Sequence, residues 1–70
     1  MGGEDQDLVL TVREKECLGY LARGLRCRAM ADAMGITVKT VEKQIESARR
    51  KVGAKTREQA VAIAIAKRLL

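Results

Sequence analysis

The chain predicts an all-α domain of four helices, with a central helix-turn-helix and a C-terminal dimerisation helix. Three observations predict it. In the run MADAMGITVKTVEKQI, Ala31 is followed four positions on by Gly35, and Val41 stands six beyond that glycine. This is the spacing of two helices that cross steeply through a short turn. Val38, Val41, Ile45, Ala48 and Val52 recur at alternating intervals of three and four, the period of one buried helical face. Capping boxes start the first and fourth helices, and glycines end the first three.

Taken in order, residues 1–9 read as a disordered tail or an expression remnant, glycine-rich and acidic through Glu4, Asp5 and Asp7. The domain spans 10–70. Thr11 and Glu14 form the first capping box, with Leu10 before it as a hydrophobic staple. Cys17, Leu18, Leu21 and Ala22 then follow at helical spacing until Gly24, and Leu25 plugs the gap to the next helix. The second helix runs from about Cys27 to Met34 with Met30, Ala31 and Met34 inward, and it is short and weakly capped. Ala31 is small where the two helices approach, Gly35 supplies a left-handed C-terminus, and Thr37 caps the third helix. That helix covers about Val38–Val52 and closes at Gly53.

The fourth helix opens at Thr56, with Gln59 completing a second box, and is expected to continue to the terminus. Residues 60–66 are all apolar, more than one core stripe requires. Taking Ala60, Ile63 and Ala64 as the core face leaves Val61, Ile65 and Leu69 as a second face, a candidate homodimer contact. The alternative is that the domain absorbs both faces. With 70 residues the core is marginal, which also favours association.

Charge narrows the partner. Fourteen Lys and Arg against nine acids give a net +5, and the span 26–57 holds nine basic residues against Asp32, Glu42 and Glu46. Such a balance favours an anion, nucleic acid above all. One Tyr, no Phe and no Trp argue against the stacking platforms that bind single strands, which leaves double-stranded DNA. No His and two Cys give no usual zinc site, no imidazole acid-base chemistry and no implied cofactor, so an enzyme is not expected. Cys17 reads as a core residue and Cys27 as an ordinary thiol, and with no apolar run of membrane length a cytoplasmic setting is expected.

With the helices placed, Leu10 to Leu70 resembles the DNA-binding domain of LuxR-type (LuxR/GerE) transcription regulators. The opening Leu10-Thr11-Val12-Arg13-Glu14-Lys15-Glu16-Cys17-Leu18 is similar to the family's L-T-x-R-E-x-E-[VC]-L. Leu21 to Leu25, Met30-Ala31, Met34 to Thr37, Lys39 to Val41, Arg50 to Ala54 and Thr56-Arg57-x-x-Ala60-Val61 match its later landmarks. The resemblance implies a third helix that enters the major groove and a fourth that dimerises. It also implies an N-terminal sensory domain outside this chain, either a phosphorylated receiver or a small-molecule-binding domain, the alternative being a short stand-alone regulator. The ending Ala66 to Leu70 is similar to those of quorum-sensing regulators that respond to acyl-homoserine lactones.

Carried over by position, Lys39 and Thr40 match residues at the start of the recognition helix that contact phosphate, as a helix N-terminus suits, and the cap residue Thr37 is counted with them as DNA-binding. Glu42, Lys43 and Glu46 match base-reading positions, Arg49 and Arg50 are near enough to reach the DNA backbone, and Lys51 is similar to a frequent family lysine, expected on phosphate. Glu42 and Glu46 depart from the family's usual Lys, Arg or Asn. A glutamate can accept from cytosine, or either acid can pair with a neighbouring Lys or Arg on the helix. Cys27-Arg28 replaces the usual Asn-Lys. Two rivals to dimeric DNA reading follow: a dimerising interaction module without productive DNA contact, and a sigma-factor promoter-reading domain.

Overall fold

The computed structural model describes residues 10–70, and the tail expected at 1–9 lies outside them. Four helices follow one another: α1 (Val12–Ala22), α2 (Cys27–Met34), α3 (Val38–Lys51) and α4 (Arg57–Ala66), with no strand among the described residues. The third helix is the hub, packing against each of the other three, while α4 also packs on α1.

The helices start where hydroxyl caps stand. Thr11 Oγ1 accepts from the Glu14 N–H at 3.1 Å while Glu14 Oε1 accepts from the Thr11 N–H at 2.8 Å, a complete capping box. Thr37 and Thr56 cap α3 and α4 through their hydroxyls, which accept from the N–H groups of Thr40 and Gln59. The box expected at Thr56 is half formed, because Gln59 Oε1 takes the N–H of Lys55 instead of the cap residue's own. Arg26, before α2, makes no side-chain cap, as the short helix led one to expect.

All four helices end by one device. In each, a residue at or just after the C-cap takes a left-handed conformation and the next N–H bonds to the carbonyl five residues earlier, the Schellman arrangement. Leu25 N–H reaches Tyr20 O, Ile36 reaches Ala31 O, Ala54 reaches Arg49 O and Leu69 reaches Ala64 O, at 2.8 to 3.0 Å. The left-handed residues are Gly24, Gly35, Gly53 and, at φ 58°, Arg68. The residues turned inward are all apolar, and each packs on the core or belongs to it. At Gly35 an added Cβ would meet nothing within 4 Å, so the backbone conformation alone calls for glycine there.

The core has two lobes that meet along α3. Leu10, Leu18, Ala48, Val52, Ala54, Ala60 and Ala64 form the lobe under α4. Cys17, Met30, Ala31, Val41 and Ile45 form the lobe under α2. Leu10 is buried in the lobe under α4 rather than stapled to the fourth helical position, which is the exposed Lys15, and Leu25 fills the gap beside α2.

Three expectations are corrected. The fourth helix stops at Ala66 rather than continuing, because the chain reverses at Arg68 to seat Leu69 on the α4 lobe. Val38 is 38 % exposed, since it lies in the first turn of α3, ahead of the segment that α1 and α4 cover. Ala22, at the end of α1, is exposed as well.

Candidate nucleic-acid interface

The apolar side of α3 is buried through Val41, Ile45 and Ala48, which turns its other side outward as one charged surface. Lys39, Glu42, Lys43, Glu46 and Arg50 share that surface and line a shallow depression of about 580 Å³ with Ser47 and Lys51. Among the described residues no group of His, Cys, Asp and Glu could hold a metal ion.

At the amino end the geometry suits an anion. Thr37 Oγ1 accepts from the Thr40 N–H at 3.1 Å and donates to Thr40 Oγ1 at 2.9 Å. The Thr40 hydroxyl, accepting from Thr37, keeps its own proton to donate outward. Lys39 is exposed beside it, at the positive end of the helix dipole. Lys43 follows one turn on, exposed, and neither lysine has an ion-pair partner among the described residues.

Further along, the charges are tied to one another. Glu46 Oε1 accepts from Arg49 Nε at 3.0 Å, and Oε2 accepts from Arg49 Nη2 at 2.6 Å and Arg50 Nε at 3.1 Å. These bonds, Arg49's first, hold the Glu46 carboxyl at about 2, far below its ordinary 4.5. Arg49 Nη1 also donates to the Ala54 carbonyl at 2.7 Å, beyond the end of α3. Arg49 therefore braces the helix end, bonded to Glu46 on one side and to Ala54 on the other.

Lys51 is likewise engaged. Its Nζ donates to Glu14 Oε1 at 2.9 Å, and Ser47 Oγ donates to Glu14 Oε2 at 2.6 Å. Glu14 is 3 % exposed. Burial pushes its carboxyl up, but hydrogen bonds from Ser47, the Thr11 N–H and Lys51 outweigh that and leave it below the ordinary value. Reading the sequence identified Glu14 as a cap and missed both cross-helix partners, and it missed Ser47 altogether. No local signal pointed to Ser47, whose partner lies 33 positions away.

The expected dimer face is redistributed. Ile65 is 56 % exposed, whereas Val61 packs in part on the α4 lobe and Leu69 lies beyond the helix, folded back onto the same lobe. Leu70, 45 % exposed, adds apolar surface at that end.

Comparison with known proteins agrees with this architecture. Residues 8–64 match the family described as bacterial regulatory proteins, luxR family. The chain is 38 % identical over 61 residues to the transcriptional regulatory protein YdfI of Bacillus subtilis, covering 87 % of this chain and 29 % of that protein. It is 34 % identical over 61 residues to the transcriptional activator protein BjaR1 of Bradyrhizobium diazoefficiens, covering 87 % of this chain and 25 % of that one. The chain thus spans less than a third of the length of these relatives. No solved structure gives a significant match. Among the described residues no helix is long and apolar enough to cross a membrane. With the family matched from before α1 into α4, the chain belongs to the luxR family of bacterial regulatory proteins, as a helix-turn-helix domain of transcription regulation.

Proposed function

We propose that the domain binds duplex DNA sequence-specifically, as a dimer, with α3 in the major groove, and so regulates transcription. The observation that carries this reading is the division of α3: one side is locked by three helices, and the other offers Lys39, Thr40 and Lys43 unobstructed at its amino end. Phosphate contacts from Lys39, Thr40 and Arg50 set the register, and Lys43 reads a base edge. Thr37 acts through Thr40, whose hydroxyl it orients.

Dimerisation is assigned to the exposed apolar surface of α4 around Ile65, with Leu70 and the uncovered parts of Val61 and Leu69 beside it. Two domains paired there would read half-sites about one helical turn apart. Action in the cytoplasm belongs to the same reading. So does a sensory domain in a longer protein, a phosphorylated receiver or a small-molecule-binding domain, the second being favoured by final residues that resemble the endings of quorum-sensing regulators. The rival reading, a module that dimerises without DNA, drew its support from two acids on α3. It is weakened because Glu46 is neutralised by Arg49 and Arg50.

Selection of bound sites from a random duplex library, followed by titration of variants, tests the proposal. Lys43→Ala is expected to weaken binding to the selected site more than to random duplex, and Lys39→Ala to weaken both alike. Equal losses on both duplexes for Lys43→Ala would remove it from base reading.

A further inference from the structure

The two glutamates on the exposed surface of α3 are in different states. Both oxygens of Glu46 are occupied by Arg49 and Arg50. Glu42, one turn nearer the amino end, is exposed and has no hydrogen-bond or ion-pair partner among the described residues, although Lys39 and Lys43 lie on the same surface. We infer that Glu42, and not Glu46, is the acid this helix applies to a base edge, and that it selects cytosine; this rests on the duplex-DNA reading above.

A free carboxylate near a polyanion costs affinity wherever it meets no donor. In the major groove, guanine offers the acceptors N7 and O6 and thymine the acceptor O4, so both repel it. Adenine and cytosine each present an amino donor. Beside the adenine amino group stands N7, an acceptor that repels the second carboxylate oxygen, whereas cytosine has a C–H at the corresponding place. Cytosine is therefore the base that Glu42 accepts from without penalty. Its guanine partner presents two acceptors to Lys43, the adjacent unpaired donor, so a single C·G pair satisfies both side chains.

The test is selection from a random duplex library with the unaltered domain, Glu42→Gln and Glu46→Gln, each also titrated on unselected duplex. The unaltered domain should select cytosine at one position per half-site, and replacing that cytosine by thymine should weaken binding about tenfold. Glu42→Gln should move the preference at that position toward adenine, whose N6 and N7 a glutamine amide matches. It should bind unselected duplex at least as tightly, having lost a negative charge. Glu46→Gln should keep the cytosine. An unchanged base preference in Glu42→Gln, with binding intact, overturns the inference and leaves the DNA reading standing, as does a changed preference in Glu46→Gln alone. Absence of duplex binding by the unaltered domain overturns both.

Discussion

Glu14 Oε1 and Lys51 Nζ meet at 2.9 Å across 37 positions of sequence, tying the first turn of α1 to the last turn of α3. The same carboxylate holds Ser47, one turn earlier on α3, at 2.6 Å. A buried carboxylate held by three donors, the Thr11 N–H beside it and Ser47 and Lys51 across the helices, is satisfied as a unit, so removing one partner exposes the cost of burying the others. The two bonds pin the carboxyl-terminal half of α3 to the start of α1.

Glu14→Ala and Lys51→Ala are each expected to destabilise the domain by about 2 kcal/mol, below the usual loss for a fully buried pair because the lysine side chain is one-third exposed. Urea unfolding measures this. Glu14→Gln, which keeps an acceptor for Ser47 and for the cap, should lose less. Losses below about 0.5 kcal/mol in both alanine variants would show that the pair is not a stabilising link.

Acid should act through Glu14 and Glu46, whose carboxyls both lie below their ordinary value in the folded chain. A depressed carboxyl stabilises the fold above its unfolded value, here 4.5, and that stabilisation is lost as pH falls toward the folded value, about 2 for Glu46. With no histidine, stability should be level from about pH 6 to 8 and decline below about 4.5. Glu14→Gln should make the decline shallower in a series of thermal melts. A steep change near neutrality would contradict this assignment.

The two thiols should separate by reactivity. Cys17 is fully buried, burial raises its pKa, and its Sγ lies 3.8 Å from Met34 Sδ, whereas Cys27 is half-buried with Arg57 Nη1 3.5 Å from its sulfur. Mass spectrometry after brief alkylation of the folded protein should find one label, on Cys27, and two after unfolding. Rapid labelling of Cys17 in the folded state would show that the α2 lobe opens readily.

The shared helix ending gives opposite predictions at two positions. Arg68, left-handed at φ 58°, carries a strain that glycine lacks, so Arg68→Gly should stabilise by about 0.5 to 1 kcal/mol. Gly35→Ala should destabilise by about 1 kcal/mol from the conformation alone, since its Cβ would have open space. Thermal melts of the two variants moving in the same direction would refute the common origin of the endings.

Features set within a few residues were legible in the sequence. The caps at Thr11 and Thr37, the glycine ends and the Val41, Ile45, Ala48 stripe all follow from spacing, and each stands where it was expected. The pairing of Glu46 with Arg49 and Arg50 was legible as one of two alternatives, because three- and four-residue spacing places them together. The partners of Glu14 were not, since nothing local connects a capping residue to a serine 33 positions away. The stop at Ala66 was also hidden. Lys67, Arg68, Leu69 and Leu70 are good helix formers, and the pull of the core on Leu69 overrides their propensity. The same reversal removed Leu69 from the expected α4 face.

Titration of the domain against random duplex across a salt series addresses the central claim most directly. Binding should be measurable at low salt and weaken steadily as salt rises, with log K against log salt falling by about 0.9 for each phosphate neutralised. Lys39→Ala should reduce that slope by about one phosphate. Duplex binding that is absent at low salt, or indifferent to salt, would contradict the assignment of the exposed side of α3 to DNA.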